Sequence, residues 1–138
     1  MKEIKPPHLI QLPKLGESAI GYITVTDSLS IPFQVKRAFW TYYTPESIVR
    51  GRHAHYETEQ FLIAVSGKII VTTETAEKNI QTFVLSEPSV GLYIPPNVWH
   101  TMQYSHSAVQ LVLASTDYIA EDYIRDYDQF LEFWKIKQ

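Results

Sequence analysis

The chain has 138 residues, a formal charge of −3 and no cysteine. This length fits one domain, 1–138, with a sizeable core, and 45% hydrophobic with 20% charged residues is typical of a globular protein. The scattered basic residues argue against a nucleic-acid-binding protein, and the lack of cysteine excludes thiol catalysis, disulfides and zinc–thiolate sites.

The first 19 residues contain three prolines and predict an extended N-terminal segment. They include no apolar run of signal-peptide length. No stretch of the chain approaches the roughly 18 apolar residues of a membrane-spanning helix. We therefore expect a cytoplasmic protein that does not contact a membrane.

Between residues 20 and 115, short runs rich in Val, Ile, Thr, Phe and Tyr alternate with Pro, Gly, Ser and Asn, a pattern typical of all-β sandwiches and barrels. The predicted strands lie in GYITVTD, FQVKRAFWTYY, GRHAHY, EQFLIAVSG, KIIVTTET, QTFVLS, VGLYIP and AVQLVLAS. Hairpin turns are predicted at 66–68 and 76–79, and Pro95 and Pro96 should interrupt a strand. Eight short strands predict a jelly roll.

The last part of the chain changes period. Apolar residues recur every three or four positions from Ile119 to Trp134, with charged residues between them. This pattern predicts an amphipathic C-terminal helix over 118–135 that packs on the sandwich. Asp117 or Ser115 could cap its start.

Two histidines one residue apart stand in RGRHAHYETEQ, at 50–60. Because alternate residues of a strand face the same side, His53 and His55 should project together, and Glu59 and the apolar residues after it keep that parity. His100 ends VGLYIPPNVWH. Three imidazoles and a carboxylate suit Fe, Mn, Ni, Cu or Zn by ligand type, and histidine equally suits proton transfer.

These residues resemble the two cupin motifs. The first motif is matched by Gly51, His53, His55, Glu59 and Gly67, and the second by Gly91, Pro95, Asn97 and His100, with Asn97 where cupins usually have glycine. The resemblance implies a cupin-type jelly roll, an all-β sandwich with a short C-terminal helix. It also implies that the four side chains that ligate metal in metal-dependent cupins are present.

Five blocks in order resemble a narrower family: IPFQVKR (31–37), RGRHAHYETEQ (50–60), SVGLYIPPNVWH (89–100), VLAS (112–115) and DYIRDYDQF (122–130). From about residue 20 to 131 the chain is similar to cupin-fold sugar 3,4-ketoisomerases that act on dTDP-4-oxo-6-deoxy-D-glucose. The resemblance implies an isomerase that moves the keto group from C4 to C3 through an enediol, with no metal or other cofactor. It further implies that the 3-oxo product feeds the synthesis of a 3-amino sugar for a surface polysaccharide.

By position, the resemblance implies His55 as the base at C3 and His53 as the group that acts at C4 or polarises the enediol oxygens. It implies Arg37 and Arg50 as ligands of the diphosphate, which suits the planar guanidinium. The remaining implied substrate contacts are Trp40, Glu59, Gln60 and His100. Because His100 stands where some members carry arginine, the C4 configuration of the product stays open.

Two other functions remain alternatives. One is a metal-dependent cupin enzyme, a dioxygenase or metallo-isomerase, with His53, His55, Glu59 and His100 as ligands. The other is a non-catalytic cupin that binds a sugar. The open sheet edges of so small a jelly roll, together with the resemblance, predict a homodimer.

Overall fold

The computed structural model describes residues 4–137, with side chains described through Trp134. Its strands are β1 (His8–Gln11), β2 (Lys14–Glu17), β3 (Gly21–Thr24), β4 (Arg37–Tyr42), β5 (Val49–His55), β6 (Gln60–Ser66), β7 (Ile69–Glu74), β8 (Ile80–Leu85), β9 (Val90–Ile94), β10 (Trp99–Tyr104), β11 (Val109–Ala114) and β12 (Tyr123–Ile124). A single α-helix, α1 (Tyr127–Lys137), ends the described chain.

Two five-stranded sheets form a sandwich. Sheet A has the order β1-β9-β6-β11-β4, and sheet B has the order β12-β5-β10-β7-β8. Every described strand pair is antiparallel. The core between the sheets is apolar, with Leu62, Leu92 and Val112 from sheet A meeting Ile69 and Val71 from sheet B. The prediction of an all-β cupin-type sandwich with a short C-terminal helix is confirmed.

Each of the eight predicted segments contains a strand, and among the described residues four further strands, β1, β2, β10 and β12, lie outside them. Strand β9 ends at Ile94, directly before Pro95 and Pro96. Residues 76–79 form the predicted β7–β8 hairpin turn. The predicted hairpin turn at 66–68 is wrong, because this segment carries the chain from β6 in sheet A to β7 in sheet B.

The outer face of sheet A is covered by the chain itself. Leu12, Ile31 and Phe33 pack on Phe61 and Tyr93 there, and all five side chains are buried. Neighbouring β9 contributes Gly91, where a Cβ atom would lie 2.0 Å from the Phe61 ring. A glycine is therefore required for the Phe61 ring to lie across the backbone of β9.

The C-terminal helix is shorter than predicted. It begins at Tyr127 rather than 118, and its start is capped by Asp126, whose Oδ1 accepts a hydrogen bond from Gln129 N at 3.0 Å. Residues 120–122 form a 3₁₀ turn, and β12 pairs with the end of β5. Sheet pairing thus overrides the helical period before Asp126. Within α1, Phe130 is fully buried on the outside of sheet B.

Strands β2 and β3 belong to neither large sheet. They pair only with each other, and every residue of the two strands except Thr24 is exposed. Apolar side chains on this hairpin, among them Leu15, Ile20 and Ile23, are 57%, 80% and 66% exposed. The N-terminal segment is thus partly β-sheet and partly a projecting hairpin. In the described part of the chain, no helix has the length and apolar character needed to cross a bilayer.

Candidate active site

Three histidine side chains meet where β5 pairs with β10. His53 and His55 lie on β5, and His100 on β10 directly opposite His53. Ring centroids are 5.0 Å apart for His53 and His55, 4.6 Å for His53 and His100, and 6.0 Å for His55 and His100. One ring nitrogen from each residue lies within 4.8 Å of the other two. The structure therefore brings these three predicted site residues together.

Unusual backbone conformations hold this cluster. Gly51 has a φ of +85°, and a Cβ atom there would lie 3.0 Å from the carbonyl oxygen of His100. The β5–β10 register shifts immediately after His100, so the bulge fixes where its ring points. Asn97, in the position where cupins usually have glycine, has a φ of +62°, a conformation that asparagine tolerates. Its N–H donates to His55 O at 2.7 Å, which ties the turn before β10 to the end of β5.

A cavity of about 100 Å³ lies beside the histidines. Its lining residues are Phe39, Thr41, Arg50, Gly51, His53, Gln60, Leu62, His100, Met102, Tyr104, Gln110, Val112 and Tyr123. Gln60 and Gln110 are buried polar residues in this wall, and Gln110 Nε2 has no hydrogen-bond partner among the described residues. The wall thus offers polar groups to an oxygen-rich ligand. Among the predicted site residues, Arg50, His53, Gln60 and His100 line it.

Glu59 lies on the other side of sheet A. Its Oε1 accepts a hydrogen bond from Tyr93 Oη at 2.7 Å, and Tyr93 belongs to the outer-face cluster with Phe61. The predicted parity from His55 to Glu59 is wrong because residues 56–59 are a turn between the two sheets. Asp122 holds this turn by accepting hydrogen bonds from Glu57 N and Thr58 N. Gln60 faces the cavity instead, and the four-ligand metal set that includes Glu59 is not assembled.

Trp40 also points away from the histidines. Residues of β4 alternate in burial, so Phe39 and Thr41 line the cavity, whereas Trp40 is 60% exposed on the opposite face. Applied to FQVKRAFWTYY, the period of two would have selected Phe39 with Arg37 rather than Trp40. The structure does not bring Trp40 together with the other predicted site residues of its own chain.

Tyr123 joins the histidines to two arginines. Its ring centroid is 4.4 Å from that of His55 and 5.2 Å from that of His53. Arg37 Nη1 donates to Tyr123 Oη at 3.4 Å, and the Arg125 guanidinium lies 4.3 Å from the centre of the Tyr123 ring. Arg37 Nε is buried without a hydrogen-bond partner among the described residues. Two cationic groups with donors to spare therefore stand beside the histidine cluster.

Sequence reasoning missed Tyr123 and Arg125 as site residues. Both were assigned to the interior of a helix, although DYIRDYDQF was one of the five matching blocks. The signal that could have found them is this block itself, because its Tyr and Arg are the residue types that contact phosphorylated sugars.

The environment lowers the pKa of all three histidines. Burial lowers the pKa of His55 to about 2, with further lowering by His100, His53, Arg37 and Arg125. Burial also lowers the pKa of His100 to about 3, although its hydrogen bond with the Val98 backbone opposes this shift. For His53 burial again lowers the pKa. The three imidazoles are therefore neutral at pH 7, the form in which a histidine accepts a proton or ligates a metal.

Hydrogen bonding identifies the free nitrogens. His100 Nδ1 lies 3.1 Å from Val98 O, and since a carbonyl only accepts, Nδ1 of the neutral ring carries the proton and Nε2 keeps its lone pair. His55 Nε2 is buried without a hydrogen-bond partner among the described residues. Such nitrogens suit either proton transfer or a divalent transition metal, for which His53, His55 and His100 are the residues in reach.

Comparison with known proteins identifies the family of this chain. Residues 5–135 match the family model described as FdtA: WxcM-like, C-terminal. A TDP-4-oxo-6-deoxy-alpha-D-glucose-3,4-oxoisomerase from Aneurinibacillus thermoaerophilus is 36% identical over 126 residues, covering 91% of this chain and 90% of that protein.

Similar solved structures are of sugar 3,4-ketoisomerases as well. QdtA, a sugar 3,4-ketoisomerase from Thermoanaerobacterium thermosaccharolyticum in complex with TDP, has a TM-score of 0.91 and 32% identity, covering 98% of both chains. A histidine-to-asparagine variant of that enzyme in complex with TDP-4-keto-6-deoxyglucose has a TM-score of 0.90 and 31% identity, again covering 98% of both chains. The chain therefore belongs to the FdtA family, whose relatives described above are sugar 3,4-ketoisomerases.

Proposed function

We propose that this protein moves the keto group of dTDP-4-oxo-6-deoxy-D-glucose from C4 to C3, giving a dTDP-3-oxo-6-deoxyhexose. The observation that carries the proposal is the cluster of His53, His55 and His100, three neutral imidazoles beside a polar cavity, with two arginines at hand. The relatives named above act on, or were solved with, this sugar or its nucleotide.

The isomerisation needs one base that moves the carbon-bound proton and one group that carries a proton between the two oxygens. His55 removes the proton from C3, the C–H electrons form the C3=C4 bond, and the C4 carbonyl becomes an enediol oxygen. His53 carries the hydroxyl proton from the C3 oxygen to the C4 oxygen, and His55 returns a proton to the C4 carbon, so that the C3 carbonyl forms while C4 gains a hydrogen and a hydroxyl group. No electrons leave the sugar, so the step needs no redox cofactor. Histidine contributes roughly 10²- to 10⁴-fold in such steps.

Access of His55 depends on Tyr123. His53 and His100 line the cavity directly, whereas His55 packs against His53 and Tyr123. In our proposal the entering sugar displaces the Tyr123 ring. The lone pairs of His53 and His55 then face the neighbouring carbons C4 and C3 of the sugar. Gln60 and His100 hydrogen-bond the sugar from the cavity wall.

The diphosphate binds to the arginines. We assign this role to Arg37 and Arg125, which flank Tyr123, together with Arg50 in the cavity wall. Guanidinium groups bind phosphate oxygens in pairs of hydrogen bonds, which favours them over lysine in such a site. For Trp40 and Glu59 the geometry supports no contact with the sugar bound in the same chain, and their predicted roles stay predictions.

We also propose a homodimer, in which the β2–β3 hairpin packs on a second copy of the chain. An isolated two-stranded hairpin is marginal in water, yet this one exposes Leu15, Ile20 and Ile23. Sheet A ends in β4, an open edge whose Trp40 and Tyr42 are exposed as well. Light scattering should give twice the chain mass, and Ile20→Ser with Ile23→Ser should halve it. A monomeric wild type would refute the dimer. The cytoplasmic location stays a prediction.

One experiment tests the reaction. Metal-free protein is incubated with dTDP-4-oxo-6-deoxyglucose in D₂O, and NMR should find deuterium at C4 of a 3-keto product. Bound but unchanged substrate would instead favour a sugar-binding cupin. The same reaction in H₂O gives the C4–C5 proton coupling, and hence the configuration at C4.

A further inference from the structure

We propose that Asp122 is a positioning residue for nucleotide binding: it fixes the short strand β12 to the 56–59 turn and thereby places Arg125 beside the histidines. Strand β12 has only two residues, and among the described strands its one pairing partner is the end of β5. The anchoring stands on geometry alone. Its effect on the substrate rests on the proposed function, which assigns Arg125 to the diphosphate.

The carboxylate of Asp122 accepts three hydrogen bonds from residues 57 and 58. Its Oδ1 accepts from Glu57 N at 2.8 Å, and its Oδ2 accepts from Thr58 N at 3.2 Å and from the Thr58 hydroxyl. Because a carboxylate only accepts, the Thr58 hydroxyl donates to Asp122, and the Thr116 hydroxyl, 2.7 Å away, donates to Thr58 Oγ1. Thr58 is 1% exposed, so water does not compete for these hydrogen bonds. One side chain thus joins the segment before β12 to the 56–59 turn.

The backbone of this segment is fixed at both ends of β12. At one end, Asp122 O accepts a hydrogen bond from Tyr56 N at 2.9 Å. At the other end, Ile124 is fully buried in one cluster with Phe130 of α1. Because Tyr123 lies between these two contacts, a movement of its backbone would break one of them.

Strand β12 presents two side chains to the histidines. Neighbouring residues of a strand face opposite sides, so Tyr123 lines the cavity while Ile124 faces the core under α1. The Arg125 guanidinium lies 4.3 Å from the centre of the Tyr123 ring. Burial lowers the pKa of His53 and His55, and the charge of Arg125 lowers both further. Arg125 is therefore close to both proposed proton carriers.

The anchoring explains how the site can open without losing its cation. In the proposed function, the entering sugar displaces the Tyr123 ring. Because the β12 backbone is held by Asp122 and Ile124, the ring can rotate while Arg125 keeps its place for the diphosphate.

The first test is Asp122→Asn, which keeps the shape of the side chain. Asparagine has one oxygen, so in either orientation its amide nitrogen faces the backbone N–H of residue 57 or 58, from which it cannot accept. The TDP dissociation constant, measured by calorimetry, should rise about threefold to tenfold, because misplacing Arg125 costs at most what its removal costs. The matched control is Glu121→Gln, which removes the same charge at the neighbouring exposed position and should bind TDP like wild type.

A double-mutant cycle separates positioning from stability. If Asp122 acts through Arg125, adding Asp122→Asn to Arg125→Gln should change TDP affinity by less than about twofold. A side chain that only stabilised the fold would lower the Tm and leave the TDP affinity of the folded protein unchanged. Wild-type affinity in Asp122→Asn, or an equal loss with and without the Arg125 guanidinium, would therefore overturn the positioning role.

Hydrogen exchange tests the anchoring in the absence of nucleotide. The Tyr56 amide, which donates to Asp122 O, should exchange faster in Asp122→Asn than in wild type, whereas the Leu62 amide in β6 should not. Unchanged exchange at Tyr56 overturns the anchoring and leaves the isomerase intact. Faster exchange at Tyr56 in a protein whose wild type binds no TDP overturns the proposed function, and the role in binding with it, while the anchoring stands.

A second variant decides if Asp122→Asn does not fold. Thr58→Val removes only the hydroxyl that donates to Asp122 and keeps the shape of the buried side chain. It should speed exchange at the Tyr56 amide and weaken TDP binding in the same direction, again only when Arg125 is present. Wild-type exchange and wild-type TDP affinity in Thr58→Val would overturn the proposal.

Discussion

The imidazole rings of His53 and His55 meet edge to face, with centroids 5.0 Å apart and an interplanar angle of 85°. Burial lowers the pKa of both imidazoles, and the neighbouring His100 and His53 lower the pKa of His55 further, so both rings are neutral at pH 7. This arrangement offers a bound sugar two neutral proton acceptors that point in different directions.

Replacing His55 by asparagine should abolish most turnover and preserve nucleotide binding. Asparagine keeps hydrogen-bonding capacity but cannot take a carbon-bound proton, so we expect a loss of roughly 10²- to 10⁴-fold in kcat. Product formation by NMR and TDP affinity by calorimetry measure the two effects. The matched control is His106→Asn, the same change at an exposed histidine. A His55→Asn variant with wild-type kcat would contradict the assigned role.

The sequence could predict the three histidines because their positions follow from strand parity and motif spacing. Strand β10, which carries His100, was not predicted, since WHTMQY mixes polar and apolar residues and follows a Pro-Pro break. Only its cross-strand partners on β5 and β7 identify it as a central strand.

The errors in the parity of Glu59 and in the start of the helix have a common physical origin. In each case the prediction continues a local side-chain periodicity past a residue at which tertiary contacts change the backbone conformation. Asp122 holds a turn that moves the chain to the other sheet before Glu59, and pairing with β5 replaces the first helical turns. Such changes depend on contacts distant in sequence, which a local pattern does not contain.

Lowering the pH should destabilise the protein through its buried histidines. The pKa of His100 is lowered to about 3 in the folded chain, against about 6.5 when unfolded. Between these values the unfolded chain binds a proton that the folded chain excludes. The free energy of unfolding is therefore full above pH 6.5 and falls as the pH drops, by about 2 kcal/mol for one such histidine at pH 5. Urea unfolding of wild type and His100→Gln at pH 7 and pH 5 checks this, because the variant should lose less stability between the two. Equal losses would contradict it.

Arg125→Gln should weaken TDP binding. The change removes a guanidinium next to Tyr123, and we expect about a tenfold loss in affinity, since charge-assisted hydrogen bonds contribute about 1.5–3 kcal/mol in favourable geometry. The KM for the sugar nucleotide should rise more than kcat falls. Arg52→Gln is the control, since this exposed arginine of the same strand as His53 does not line the cavity. Equal TDP affinity in both variants would refute the role of Arg125.

Gly91→Ala should destabilise the fold without touching the histidines. The added methyl group would lie 2.0 Å from the Phe61 ring, and overpacking of this kind costs about 1–3 kcal/mol. Thermal unfolding measures the loss. Combining Gly91→Ala with Phe61→Leu should be less damaging than the sum of the two single changes, because the smaller side chain makes room. Strict additivity would show that the ring contact is not the cause.

The order of the projecting β2–β3 hairpin should depend on the protein concentration. A pair of strands with both faces in water is stabilised little by its own contacts. The contacts that stabilise this hairpin must therefore come from outside the sandwich of its own chain. If a second chain supplies these contacts, dilution dissociates the two chains. The hairpin then frays, while the two sheets around the histidines stay folded. Hydrogen exchange at Leu15 and Ile23 would then depend on concentration, whereas exchange at Ala54 and Leu62 would not.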